Sequence, residues 1–525
     1  MSGPNQAIGL NGRLAARWAR RAVDRLRKER VEIDELNVFP VPDGDTGTNM
    51  YHTLRSAYLA VEELTGPVTL PHVVAALAEG AGRGARGNSG LILAVALQGV
   101  ADALDGVTVA TPEAMAAALE LASARARQSV ARPVDGTMLT VLDAMATEAR
   151  EKAADGANLI ELISAVRMRS RSALRETTGQ LPVLREAEVV DAGSTGIVEL
   201  FDLLYATVTG RTPQDSMLVE VTRSPRIVHQ ASADELEIVA ILATNPASTL
   251  AEALDALGGT SIVINGTKVH VHVADEATAV TVLDHLADYG IARLDMEDLR
   301  LHEEEGETHL VAIASGTGLL MHCALNGATA LTPDAGDTVR MTKDIIAEEE
   351  REVLVVPSST TVLKSLGQVT GAQVLRSRNV ATLLSALAVY DPFAPAGEIV
   401  ADMTEAAAGT RVGTIVSAEQ LALNPPTGAL PVIDDSRSSH PSQFYRVFID
   451  GKVKTQSTEL TTLVEKLADR LLGAGGELLT VVHGPGCAPD VLSHLRDWIR
   501  KSHSQVRFQD IDSRDRATLL IMGVE

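Results

Sequence analysis

Two cysteines, Cys323 and Cys487, are all that the 525-residue sequence contains. With no Cys-x-x-Cys pair, neither a disulfide framework nor a cysteine-pair metal site is available, and a reducing, cytoplasmic setting is expected. Aromatic residues amount to only 3%, which leaves the cores to aliphatic packing. No apolar stretch approaches the roughly 18 residues of a membrane span, and the first residues lack the apolar centre of a signal peptide. Positive charge is also scarce: 46 Lys and Arg face 69 Asp and Glu, for a formal charge of -23. Such a balance repels a polyphosphate backbone and argues against a nucleic-acid partner. The densest basic run, residues 17–30, is interleaved with Leu14, Trp18, Ala22 and Leu26 at four-residue spacing. That is the pattern of a helix with one buried stripe and a solvated basic face.

The length and the 45% hydrophobic content allow about two to four domains. Residues 1–210 read as all-α, with helical segments at 71–79, 91–104, 112–130 and 138–153 separated by glycine- or proline-bearing loops. Residues 211–307 change character. Short β-branched runs at 237–242, 261–264 and 269–273 alternate with helical runs at 249–257 and 277–289, as in an α/β or α+β middle domain. The same alternation continues through 308–525, with strand candidates at 353–357 and 373–376 and a proline-rich linker at 424–442. Beyond the linker, strands are expected at 444–449, 478–482, 506–510 and 518–522, with helices at 460–472 and 489–503. The fold class expected is multidomain, helical first and α/β in the middle and carboxy-terminal domains.

The most specific stretch, residues 36–50, reads Leu-Asn-Val-Phe-Pro-Val-Pro-Asp-Gly-Asp-Thr-Gly-Thr-Asn-Met. Pro40 and Pro42 keep the approach extended, so the acidic turn after them is presented rather than absorbed into a helix. Asp43 and Asp45 flank Gly44, which can take positive φ and let both carboxylates turn towards one hard cation, Mg²⁺ being the natural candidate. Thr46, Thr48 and Asn49 precede a helix expected to start near Met50, where hydroxyls and free amides can meet phosphate oxygens. An Asx-type turn with no ligand is the plain alternative. A second stretch, residues 80–90, is rich in glycine and ends at an apolar helix with Gly87, Asn88, Ser89 and Gly90. It reads either as a phosphate cradle or as a helix connection with glycines at close contacts. Two further loops, 133–138 with Gly136 and Thr137, and 190–196 with Asp191 and Gly193, also put small and polar residues before helices. Four such loops suggest a rim converging on one ligand.

The Asp43 loop, the Gly87-Asn-Ser-Gly90 turn, Gly136-Thr137 and Val190-Asp-Ala-Gly193 together resemble the nucleotide-binding domain of dihydroxyacetone kinases. The longer string 37–50 is similar to the nucleotide-binding subunit of bacterial fatty acid kinase. The resemblance implies a DhaL-like helical barrel that holds ATP through two Mg²⁺ ions carried by Asp43 and Asp45. Asn37 stands where dihydroxyacetone kinases have a third, aspartate ligand. It also implies that Asp43, Asp45 and Thr46 serve the chemistry. Thr46, Thr48, Asn49, Asn88, Ser89 and Thr137, with Gly87, Gly90 and Gly136, would meet phosphates or metal, and Asp191 and Gly193 the nucleoside. Some relatives bind zinc in the middle, dimerising domain through a cysteine and two histidines. Here His270 and His272 share one strand face, but no cysteine lies on the strand 238–243, so the pair is expected to be structural or interfacial and Zn²⁺ is not expected.

A fatty acid carboxylate, with a pKa of about 4 to 5, is already ionised at neutral pH and needs no general base. The obstacle is charge repulsion, which calls for metal ions and a cation, with Arg83 and Arg86 as local candidates or a partner supplying one in trans. The resemblance implies a separate DegV-type fatty-acid-binding partner, an acyl phosphate product and a homodimer. The alternatives are a non-catalytic nucleotide-sensing regulator and a dihydroxyacetone-type kinase.

Overall fold

A computed structural model describes residues 9–211, 236–299, 306–333, 337–418, 420, 444–449 and 451–525. The linker expected at 424–442 lies outside them. The chain divides into two compact units, the first comprising Met1–Val239, Asn245–Ala279 and Asp298–His302, the second Ala240–Thr244, Val280–Glu297 and Glu303–Glu525.

The first unit is led by helices, as the sequence pattern requires. Among its described residues these are α1 (Gly12–Asp34), α2 (Thr46–Glu62), α3 (Leu70–Gly84), α4 (Gly87–Ala103), α5 (Pro112–Ser129), α6 (Met138–Ala154), α7 (Leu159–Gln180), the short α8 (Pro182–Ala187) and α9 (Ala192–Thr209). Two short strands, β1 (Leu10–Asn11) and β2 (Val109–Ala110), pair antiparallel beside them. Each long helix packs on the next, α7 packs on α9, and α9 returns to α1, closing a ring. On α1, Ala15, Ala19, Ala22, Leu26 and Ile33 form the buried stripe, and the basic face between them stays outward. Half-buried Trp18 donates its indole N–H to the Leu200 carbonyl of α9 at 2.9 Å. Short links make neighbouring helices antiparallel, so every second helix begins at the same end of the ring. The starts of α2, α4, α6 and α9 therefore share one rim, and these are the four loops singled out by the sequence.

Two local expectations need correction. The second helix begins at Thr46, not near Met50, because Asp34 satisfies its first free amides from the end of α1. Gly80, Gly82 and Gly84 belong to α3 and not to a loop. A Cβ on Gly80 would strike the Ser56 carbonyl and come within 2.8 Å of Ala57 Cα on α2, so the glycine marks a close helix contact.

The unit also contains strands. After β3 (Leu236–Leu242), of which residues up to Val239 belong to this unit, come α10 (Leu250–Ala256), β4 (Thr260–Asn265) and β5 (Lys268–Val273). β4 and β5 form an antiparallel hairpin in the order β3-β5-β4. Val263 of β4 belongs to the same apolar core as the helices.

In the second unit, α11 (Glu276–Ala287) leads to β6 (Ile291–Asp298), β7 (Thr308–Ile313), α12 (Thr317–Leu325), β8 (Ala328–Leu331), α13 (Thr338–Glu348), β9 (Glu352–Pro357), α14 (Thr360–Ser365) and β10 (Ala372–Val374). The strands run β10-β9-β7-β8-β6, parallel except for the β6–β8 pair. β7 and β9 are buried almost throughout, which accounts for their continuous apolar runs. Helices α15 (Val380–Leu387) and α16 (Ala396–Gly409) precede a second sheet. It is built from β11 (Arg411–Ser417), β12 (Tyr445–Ile449), β13 (Lys452–Ser457), β14 (Leu478–His483), β15 (Arg507–Asp512) and β16 (Leu520–Val524), with α17 (Leu460–Leu472) and α18 (Pro489–Ser502) between strands. Its order is β13-β12-β11-β16-β14-β15, so the last strand of the chain lies inside the sheet.

Gly80→Ala is expected to destabilise the first unit by about 1–3 kcal/mol, because backbone and not a flexible side chain blocks the added methyl. Gly82→Ala, with open space around its Cβ, is expected to be neutral or stabilising by up to about 1 kcal/mol. Denaturant unfolding of both variants checks the pair.

Candidate functional site

The acidic turn is set by a cap from elsewhere in the chain. Asp34, the last residue of α1, accepts the Gly47 amide at 2.6 Å, the Thr48 amide at 3.1 Å and the Thr48 hydroxyl at 2.7 Å. Asp45, at the N-cap position of α2, makes no side-chain cap bond and keeps its carboxylate for the pocket. Gly44 takes φ of 73°, as the turn demands. Asn37 donates to Asp43, and Asn49 donates to Asp45 at 2.6 Å. The other Asn37 side-chain atom, Oδ1, is buried without a hydrogen-bond partner.

Asp45 keeps some solvent exposure, yet enough protein surrounds its carboxyl that burial pushes its pKa up to about 6. The negative charge of Glu237 adds to this, and hydrogen bonding with Asp43 and Asn49 opposes it. Crowded carboxylates beside an oxygen with no donor form a set that a hard divalent cation suits. Asp43, Asp45 and Asn37 therefore fit Mg²⁺.

The start of α4 completes this small pocket, which Asn37, Asp43, Asp45, Asn49, Asn88 and Ser89 help to line. Gly87 has φ of 53°, and a Cβ there would strike Asn49. Gly90 is equally tight against the Thr53 hydroxyl of α2. These two glycines let α2 and α4 bring their positive ends together. Thr46, Asn88 and Ser89 also line a larger cavity of about 380 Å³, together with Thr137, Asp191 and Gly193. Asp191 caps α9 by accepting the Ser194 amide and hydroxyl, both at 2.7 Å, and it also accepts the Met138 amide at the start of α6. Burial drives its pKa up to about 6 against those bonds.

The structure thus gathers most of the residues expected from sequence around two adjoining pockets. Thr48, Gly90 and Gly136 line neither. The Thr48 donors are taken by Asp34, Gly90 serves helix contact, and Gly136, at φ of 88°, supports the loop below Thr137. Arg83 and Arg86 line neither pocket, whereas Arg132 lines the larger one.

Sequence reasoning also missed Asp34 and Glu237. Glu237, His270 and His272 offer one ligand atom each, all within 4.8 Å of one another. His270 is bonded through Nε2 to Glu237, and its Nδ1 lies 2.6 Å from Asn88 Oδ1. His272 Nδ1 is buried without a partner, and its pKa falls to about 3, through burial first and the neighbouring His270 second. Two imidazoles and a carboxylate, one ring oriented by a second hydrogen bond, can hold a zinc-like ion. The third donor here is a carboxylate, so the lack of a nearby cysteine says nothing against the cluster.

Residues 40–206 match the DAK2 domain family, and residues 309–525 match the FakA-like fatty acid kinase family, in its C-terminal domain. Protein YloV of Bacillus subtilis strain 168 is 24% identical, the alignment covering 95% of this chain and 96% of that one. A Staphylococcus aureus strain USA300 protein is 25% identical with the same coverage. Among solved structures, the dihydroxyacetone kinase of C. freundii in complex with AMP-PNP and Mg²⁺ is similar over 44% of this chain and 50% of that one, at 12% identity and a TM-score of 0.30.

The raised Asp191 pKa has a definite sign. Its contribution to stability is complete below the ordinary value near 3.8 and is lost as pH rises through about 6. Asp191→Asn is therefore expected to gain on the wild type by about 1–3 kcal/mol between pH 4 and pH 7. Denaturant unfolding at both pH values measures this, and a constant difference would show an ordinary carboxyl.

Proposed function

Since the chain belongs, by its paired DAK2 and FakA-like C-terminal domains, to the family of fatty acid kinase nucleotide-binding subunits, we propose that it phosphorylates a fatty acid carboxylate at the rim where four helices begin. ATP is the donor, the acceptor arrives on a separate DegV-type fatty-acid-binding protein, and the product is an acyl phosphate. The observation that carries this reading is the pair Asp43 and Asp45, gathered beside the orphaned Asn37 Oδ1 at the start of α2.

Asp43, Asp45 and Asn37 hold the Mg²⁺ ions, two in number. Bound there, Mg²⁺ neutralises charge on the phosphates and on the incoming carboxylate. The amide ends of α2 and α4 face the same space and add fixed positive potential. Thr46, Asn88 and Ser89, which line both pockets, receive the phosphate tail, and Thr137, Asp191 and Gly193 border the nucleoside. The acceptor is already anionic, so the residues of the site have only to position and neutralise. A homodimer in the cytoplasm is part of the same reading.

With labelled ATP and a fatty-acid-loaded carrier, the purified chain is expected to form acyl phosphate, and only weak ATP hydrolysis without the carrier. Asp43→Ala is expected to lower transfer by about 100-fold or more. Phosphorylation of glycerone in place of the carrier-bound acid would overturn the acceptor assignment.

A further inference from the structure

The larger cavity has two dissimilar walls. One is made by the starts of α6 and α9, through Thr137, Met138, Asp191 and Gly193. The other is made by residues 130–132, in the link between α5 and α6, and, from outside the helical ring, by the segment 258–263 at the beginning of β4.

That segment is diverted from its hairpin. Thr260 pairs with His272 and Val263 with His270, and the register shifts between them, so Ser261 and Ile262 bulge away from β5. Ser261 takes φ of 49°, a left-handed conformation that costs a residue with a Cβ about 1–2 kcal/mol. Two contacts hold the bulge in place. Val130 bridges Val263 and the Ala131 amide donates to the Ile262 carbonyl at 3.2 Å, while beside them Arg132 reaches the Asp255 carboxylate of α10 at 2.6 Å. At Gly259 a Cβ would come within 2.7 Å of the Val271 side chain, so this stretch runs as nearly bare backbone. Bulges of this kind commonly re-aim a strand beside a binding site.

The space so enclosed has the character of a nucleoside site. Its volume falls in the range of small-molecule pockets, about 300–1,000 Å³. Ile92, Val130, Val134 and Ile262 offer apolar surface for a flat base, and the Phe39 ring lines the same space. The small polar Thr260 and Ser261 and the turn at Gly258 lie at its edge, as base and ribose edges require. Ser89 and Asn88 mark where it joins the acidic pocket.

Resting on the nucleotide reading above, we propose that the segment 258–263 is a wall of the ATP site: the base and ribose lie between it and the starts of α6 and α9, and it sets nucleoside affinity. The strands after the helical ring are then part of the kinase site and not only an attachment to it.

Hydrogen exchange on the full chain tests this, comparing Mg·ATP with Mg·tripolyphosphate, which has the phosphates without the nucleoside. Slowing is expected at residues 43–49 and 87–90 with both probes, and at 259–263 with Mg·ATP alone. Calorimetry adds a second arm. Thr260→Trp, at an exposed position that lines the cavity, is expected to weaken Mg·ATP at least tenfold and to leave tripolyphosphate within twofold. Protection by Mg·ATP at 43–49 and 87–90 but not at 259–263 would overturn the wall and leave the nucleotide reading intact. Protection at none of these residues would overturn both.

Discussion

Asp34 accepts two amides and a hydroxyl from the first turn of α2, and this one cap decides which carboxylates remain for the rim. A helix beginning with Asp-Thr-Gly-Thr would ordinarily turn its own aspartate onto the free amides. Here the demand is met from the end of α1, so Asp43 and Asp45 need not bend back onto backbone. An acidic residue at a helix C-terminus is unfavourable for that helix, and Asp34 is held there by the three bonds it makes to the next one. Remove it, and the α2 start would compete for Asp45.

The rest of the site follows from charge balance. Four helix starts bring roughly half a positive charge each to one end of the ring. Asp43, Asp45 and Glu237 bring up to three full negative charges close to it. The carboxylates outweigh the dipoles, and a bound triphosphate would add more negative charge. Divalent cations would resolve that imbalance. His270 connects to Asn88 at the start of α4, so the acidic pocket and the Glu237, His270 and His272 cluster share a neighbour.

Legibility in the sequence depended on how local each signal was. The acidic turn could be read because Pro40, Pro42 and Gly44 fix its backbone within a few residues. The all-α character of the first 210 residues followed from helical periodicity, while the ring was expected only from the resemblance to the kinase nucleotide-binding domain. Gly80 was misread, since glycine suggests a loop and only the nearness of α2 explains it inside a helix. Asp34 was present as a signal, a carboxylate at the wrong end of a helix, but its partners begin 13 residues later. Glu237 lies 33 residues from His270 on another strand, and no spacing rule joins them. The strand at 261–264 was anticipated, but its bulge was not: serine gives no hint of a left-handed backbone, which the surrounding contacts impose.

Calorimetric titration of ATP at increasing Mg²⁺, on the wild type and on Asp45→Asn, tests the central claim most directly. ATP affinity is predicted to rise at least tenfold with Mg²⁺ in the wild type, with most of that gain lost in the variant. An ATP affinity indifferent to Mg²⁺, or an equal gain in both proteins, would contradict the account.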